Sequence, residues 1–316
     1  MHPSADLCRT AYRQDVPSSR GAAVRVLLTG ATGFIGSRLL EVLLSKGHTV
    51  TSIVRRPRDV PGHVVVGDVR TCDLRPHVDA ADYVVHAASV TIGTPQDLWL
   101  GNVLAASRVA EASASSGTRL LYLSTTGVYG QSFGRFGDPA SMQRRPSSPL
   151  STARAAAEDK VLAAGGSVIR PHVVHGPGDR WVVPPLARFM LEEDAWLGGP
   201  EVAVAAITAQ RLAHGIAALL TRPALPAALH AAERVPKPVA DLVEPFFRSA
   251  GRSLPARVLT IDEAAARLGP QGVSRNALNM LGRSSSIDAD AFWYDAASPA
   301  IQAGGPVEPS AEEDQL

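Results

Sequence analysis

Lysine is scarce in this sequence. Of 31 basic residues only Lys46, Lys160 and Lys237 are lysines. That removes most candidates for a proton-relaying amine, because an arginine stays charged at any working pH. Cysteine is almost as rare. Cys8 and Cys72 have no metal-ligand spacing, and Cys8 sits in a polar N-terminal segment. They read as free thiols, and neither a disulfide framework nor a metal centre is expected. No apolar run approaches the roughly 20 residues that span a bilayer. The N-terminus lacks the apolar core of a secretory signal, so the expectation is a cytoplasmic protein with no membrane partner. Net charge is +1 with no basic block, which gives no electrostatic footprint for nucleic acid.

What the chain does have is length and apolar content. With 316 residues, 45% of them hydrophobic, it can bury a sizeable core in one large domain or two modest ones. Residues 1–22 are polar and read as a disordered tail. From Val24 the pattern alternates. Short apolar runs at 24–30, 48–54, 63–68, 82–88, 119–125 and 166–171 read as buried strands. Helical spacing falls between them, as in "FIGSRLLEVLLSKG" (34–47), around 100–116 and at 151–164. Strands alternating with helices predict an α/β Rossmann-type fold, a doubly wound parallel sheet over 23–180. Beyond about residue 180 helical runs dominate, with "ALHAA" and "ARVLTI" as short strands. Residues 181–300 therefore read as a smaller C-terminal α/β substrate lobe that is not an independent domain. Residues 301–316 read as a second disordered tail.

"TGATGFIG" places Gly30, Gly33 and Gly36 at G-x-x-G-x-x-G spacing, after a strand and opening a helix. Gly30 permits the tight turn, Gly33 lets backbone approach a pyrophosphate, and Gly36 lets helix pack against strand. The helix N-terminus supplies amide donors and the positive end of the dipole. Thr32, Phe34 and Ile35 belong to the same expected cofactor-binding turn. An NAD-binding chain carries an acid at the end of the second strand, about 20 residues on, to hold the ribose 2′-hydroxyl. This chain has Arg55, Arg56 and Arg58 there. An arginine fork pairs with a 2′-phosphate, which an acid would repel. The expected cofactor is therefore NADP(H), held by Arg55 first and Arg56 second.

With "TGATGFIG", the segments "GDVR" (67–70), "VVHAAS" (84–89), "LSTTGVYG" (123–130) and "VIRPHVVHGPGD" (168–179) stand in an order that resembles the short-chain dehydrogenase/reductases, in their extended, epimerase-like branch. The resemblance covers about residues 24 to 230. It implies that Asp68 and Val69 flank the adenine. It implies that Ala87, Ala88 and Ser89 line the phosphate and ribose path. Leu123 would lie near the nicotinamide, and Pro171 with Val173 would hold the carboxamide. The family's catalytic Ser or Thr, four positions before the Tyr of "VYG", falls on Thr125. The resemblance also implies a homodimer through helices such as 100–116 and 151–164.

One part of the family pattern is missing. A Tyr should donate its proton to the carbonyl oxygen, with a Lys one helical turn on to lower its pKa. The family's spacing from Thr125 puts Leu150 in the Tyr slot and Arg154 in the Lys slot. Leu150 cannot transfer a proton. Arg154 is a poor relay, though it can still contact ribose hydroxyls. Lys160 falls on a different helix face. Of the tyrosines, Tyr12 lies in the tail, Tyr83 and Tyr122 in strands, Tyr129 in "VYG", and Tyr294 in "AFWYD", where it could cap the pocket. His175 is a chemically reasonable acid near neutral pH, but a lone histidine is more often a satisfied polar residue. Two readings stay open. One is an NADPH-dependent ketoreductase without the Tyr/Lys pair, in which water or a phenol on the substrate supplies the proton. The other is an NADP(H)-binding sensor or scaffold without catalysis. An epimerase or dehydratase is weaker, since those reactions also use the Tyr. The Tyr-less scaffold is similar to atypical ketoreductases of the branch that act on aromatic polyketides, which implies a bulky aromatic ketone as substrate. The polar, Gly- and Pro-containing segment 131–148 reads as a mobile loop over it.

Overall fold

The computed structural model describes residues 9–11, 23–130, 133–268 and 275–293. Most of both expected tails, Tyr12 and Tyr294 lie outside them. From the N-terminus run β1 (Arg9–Ala11), β2 (Arg25–Thr29), α1 (Phe34–Ser45), β3 (Thr49–Val54), β4 (His63–Val66), α2 (Arg75–Asp79) and β5 (Tyr83–His86). Next come α3 (Pro95–Trp99), a π-helical turn (Leu100–Leu104), α4 (Ala105–Ser116), β6 (Arg119–Leu123), a 3-10 turn (Thr126–Tyr129), β7 (Gly134–Phe136), α5 (Pro149–Ala163), β8 (Ser167–Pro171) and β9 (Val173–His175). The remainder is α6 (Val183–Glu193), β10 (Ala195–Leu197), β11 (Ala203–Val204), β12 (Ala206–Thr208), α7 (Ala209–Leu219), β13 (Ala228–Ala231), β14 (Lys237–Pro238), α8 (Val239–Ser249), β15 (Arg257–Leu259), α9 (Ile261–Leu268), α10 (Arg275–Gly282), β16 (Ser285–Ile287) and α11 (Asp290–Trp293).

The main sheet has the order β1-β4-β3-β2-β5-β6-β8-β13. All its pairings are parallel except that of β1 with β4. The strands read as unbroken apolar runs because helices cover both faces, and β8 is buried at all five positions. One face packs Leu39, Leu43 and Val85 against Leu212 and Ile216 of α7. The other packs Leu27, Val65 and Tyr122 against Val109 and Val161 of α4 and α5. The C-terminal lobe has its own core around Phe189, Trp196, Val243 and Leu281.

The chain builds outward from β2 through β3 to β4, then crosses back to begin the other half at β5. The order therefore reverses between β2 and β5. In an open parallel sheet, that switch point leaves a crevice beyond the carboxyl ends of the strands, where ligands bind.

Three features depart from the local expectations. β1 falls inside the segment read as disordered. It adds to the edge of β4 through backbone pairing, which requires no apolar signature. The helix expected over 100–116 opens with a π turn, where buried Asn102 donates from Nδ2 to the Leu98 (2.7 Å) and Val90 (2.9 Å) carbonyls. Segment 131–148, expected as a mobile loop, contains β7, which pairs in parallel with β16 and buries Phe136. Three-residue strands carry no periodic signal, and the partner lies some 150 positions away. The two lobes also interleave. β13 and α7, from beyond residue 180, complete the main sheet and its helical cover. No helix among the described residues is long and apolar enough to cross a membrane.

Candidate active site at the switch point of the sheet

At the end of β2 the backbone of Gly30 turns at φ +81°, and its carbonyl accepts from Gly33 N at 2.9 Å. No Cβ fits there: one on Gly30 would stand 2.6 Å from the Ala87 carbonyl carbon. On Gly36 it would stand 2.0 Å from the Gly30 oxygen. The start of α1 thus lies directly on the β2 and β5 ends. Gly33 caps this helix with no side chain, and its first turn holds no acid. Its amides and positive dipole end are left for an anionic ligand. A cradle that a Cβ would fill, at a bare helix N-terminus, fits the pyrophosphate of a dinucleotide.

A cavity of about 660 Å³ opens over this turn. Gly30, Thr32, Gly33, Phe34, Ile35 and Gly36 form its floor. At one end stand Arg55, Asp68 and Val69. Ala87, Ala88 and Ser89 run along its length, and Leu123 and Arg154 lie at the other end. Arg56 is exposed and outside the lining. Pro171 and Val173 are buried, Pro171 paired with Ala231 in the sheet and Val173 in the core of the lobe. Thr125 is also outside the lining, and its Oγ1 accepts from Gly127 N (3.1 Å) as the cap of the 3-10 turn. The neighbouring Ser124 does line the cavity.

The lining also holds residues that were not among the expected site residues, Arg70, Ile92, Ser124, Arg180 and Trp181 among them. Arg70 forms a bidentate pair with Asp68, Nη2 to Oδ2 at 2.7 Å and Nε to Oδ1 at 3.0 Å. Those hydrogen bonds hold the Asp68 carboxyl below the usual carboxylate range. Arg55 has no salt bridge among the described residues.

At the opposite end, Arg154 Nη2 donates to Ser89 Oγ (3.1 Å), which donates to Asn102 Oδ1 (2.7 Å). The π turn sets the position of Asn102, so this backbone irregularity orients Ser89 and Arg154. Burial pushes the Arg154 guanidinium below its usual value, and Nε is buried without a partner among the described residues. Leu150 packs against Leu98, Val103 and Ala153 and does not line the cavity. Tyr122 lies under this end, its hydroxyl fully buried, without a hydrogen-bond partner among the described residues and pushed up to about 12 by burial. It stacks on His86 at 5.5 Å. Burial takes His86 down to about 4, and its Nδ1 shares a 2.6 Å hydrogen bond with Thr29 Oγ1. His175 stands outside the lining and is lowered chiefly by burial, then by Lys237.

The ionisable lining residues are therefore arginines and two carboxyls, Asp68 and Asp97. Asp97 is also held down, by hydrogen bonds from Thr94. No histidine, cysteine, lysine or tyrosine is among the lining residues. The site can hold a dinucleotide along its length and an oxygen near Arg154, but it offers no side-chain acid of ordinary strength there.

Below the cavity lies a buried ionic cluster. Arg170 grips the fully buried Glu158 through Nε (3.0 Å) and Nη2 (2.7 Å). Arg170 Nη1 also donates to the Tyr129 hydroxyl (2.8 Å), which pairs with His230 Nε2 (2.7 Å). Arg144 adds a 3.2 Å contact to Glu158 from segment 131–148. The family Tyr of "VYG" is thus a structural member of this cluster.

Comparison with known proteins agrees with this geometry. The family model for the NAD dependent epimerase/dehydratase family matches residues 26–211. A 3 beta-hydroxysteroid dehydrogenase/Delta 5-->4-isomerase of Mycobacterium tuberculosis is 31% identical over 179 residues, 49% of this chain and 48% of that protein. A 4-hydroxy-2-methyl-3-oxo-4-farnesyl-3,4-dihydroquinoline-1-oxide ketoreductase of Stigmatella aurantiaca is 26% identical over 52% of this chain and 54% of its own. The chain spans about half the length of these curated relatives. Among solved structures, a UDP-glucuronic acid 4-epimerase of Bacillus cereus in complex with NAD aligns with a TM-score of 0.62 and 20% identity. The alignment covers 81% of this chain and 96% of that one. At that identity the likeness is one of fold.

Proposed function

Since the chain belongs to the NAD dependent epimerase/dehydratase family, we propose that it is an NADPH-dependent ketoreductase that works without the family Tyr/Lys pair, on a ketone of a bulky aromatic polyketide-type compound. The observation that carries the reading is the nicotinamide end of the cavity. Leu123, Ser124 and Arg154 line it, which supports cofactor binding there, while Leu150, in the slot of the family acid, packs outside the lining.

The reduced nicotinamide, when bound, supplies a hydride to the carbonyl carbon. This chain's share is to bind and orient. The turn at Gly30–Gly36 and the α1 amides hold the pyrophosphate, and Arg55 takes the 2′-phosphate. Arg154, held by Ser89 and Asn102, presents a fixed positive charge near the reacting oxygen, where negative charge develops. The proton then comes from water or from a phenol beside the ketone, because no lining side chain is a suitable acid. Thr125, at the family's Ser/Thr position and next to the lining residue Ser124, is the further candidate to orient the carbonyl.

The cofactor assignment has a direct test. Arg55→Ala should weaken NADPH binding by roughly 10- to 100-fold, the worth of charge-assisted hydrogen bonds of about 1.5–3 kcal/mol. NADH binding should barely change. Calorimetric titration of both nucleotides reads this, and equal losses would remove the NADP assignment. A second reading, a non-catalytic NADP(H) sensor, is favoured by the apolar packing of Leu150 with Leu98 and Val103. Turnover separates the two.

A further inference from the structure

Two of the most exposed large apolar side chains in the described residues, Ile92 (74%) and Trp181 (51%), line the same cavity. By contrast, Trp196 in the lobe core is 4% exposed. An apolar ring left open in a cavity wall marks a ligand contact more than a packing residue. The backbone that presents Trp181 is fixed. Asp179 Oδ1 accepts from Trp181 N (2.8 Å) and Val182 N (3.1 Å), and Oδ2 accepts from Val183 N (3.0 Å). Gly176 and Gly178 supply the positive-φ turns that bring the segment back over the nucleotide loop. A Cβ at Gly178 would meet the Phe34 ring at 3.5 Å. The Arg180 guanidinium, also in the lining, lies 5.9 Å from the Trp181 ring centre.

From this placement we propose that Trp181 is the specificity-determining wall of the substrate subsite. Its ring stacks on a flat fused-ring ketone, Ile92 completes the apolar lip, and Arg180 faces an acidic phenol or carboxylate on that ring system. The proposal rests on the ketoreductase reading for the identity of the ligand as a ketone. It adds which residues choose that ligand. A tryptophan whose backbone is held at a cavity edge gives a large flat contact with only two side-chain torsions to order, which suits a fused aromatic ring and does little for a flexible chain.

The test is calorimetric titration of the full chain, saturated with NADP+, with 1-hydroxyanthraquinone as a flat probe and 2-decanone as a flexible one. Trp181→Leu keeps apolar bulk and removes the ring. It should weaken the anthraquinone by about 10-fold, from lost stacking and buried area. Trp181→Phe should stay within about 3-fold of the parent by the same reasoning, and 2-decanone and NADP+ should bind all three proteins alike. Equal anthraquinone affinity in Trp181→Leu would overturn the proposal. So would a parallel loss of NADP+, which would place Trp181 on the cofactor, or displacement of the anthraquinone by UDP-glucose at comparable concentration. Turnover is absent from these titrations. In a parallel incubation with NADPH in place of NADP+, ring binding without reduction would end the ketoreductase reading and leave the subsite, while reduction of the anthraquinone with Trp181→Leu unimpaired would do the reverse.

Discussion

Gly36→Ala should lose nucleotide binding almost entirely. The added Cβ would fall 2.0 Å from the Gly30 oxygen and 2.7 Å from its carbonyl carbon, both backbone atoms that cannot rotate aside. The first turn of α1 must then move off the β2 end. Overpacking of this kind costs roughly 1–3 kcal/mol of stability. The functional loss is larger, because displacing a binding element by about 1 Å costs on the order of 100-fold. NADPH should raise the melting temperature of the parent and leave that of Gly36→Ala unchanged. Gly137→Ala, where nothing lies within 4 Å of the added atom, is the control and should behave as the parent. A full NADPH-induced shift in Gly36→Ala would mean that the cofactor does not use this turn.

Arg170→Met should be the most destabilising single change in the buried ionic cluster. It leaves the Glu158 carboxylate inside the protein with only the Arg144 contact at 3.2 Å, and it takes a donor from the Tyr129 hydroxyl. Stranding a buried charge costs about 3–5 kcal/mol, equivalent to a fall in Tm on the order of 10 °C for a chain of this size. The double change Glu158→Leu with Arg170→Met removes both charges and should recover a good part of the loss, since the penalty lies in the unpaired ion. Thermal unfolding of the two variants side by side decides it. If the double variant is no more stable than the single, Arg170 acts through packing and not through its charge.

Much of the framework was legible in sequence because its signals are local. The glycine turn, the apolar strands and α1 each announce themselves within a dozen residues. Their βαβ order fixes the parallel sheet and the switch point. The absence of a Tyr at 150 was equally legible, since spacing within one motif sufficed. What sequence did not give came from contacts between distant segments. Glu158 in "AAAEDK" carries no local sign of burial, yet it is fully buried, where Arg170 in β8 and Arg144 reach it. Pairing of β7 with β16 converts part of an apparent loop into framework. Thr125 matched the motif, but its hydroxyl caps Gly127, while the adjacent Ser124 meets the cavity. Trp181 and Arg180 reach the nucleotide cavity only because the Gly176 and Gly178 turns fold their segment back over Phe34.

The central claim is that hydride transfer persists where the family acid is absent. Its most direct measurement is deuteride transfer. The pure protein is incubated with 4-deuterated NADPH and a panel of ketones that includes polycyclic aromatic ketones with a neighbouring phenol, and products are read by mass spectrometry. The account predicts a deuterium-labelled alcohol, strongest for ketones with the adjacent phenol and weakened when that phenol is methylated. Tight NADPH binding with no label in any product would contradict it and identify the chain as a nucleotide-binding protein without this chemistry.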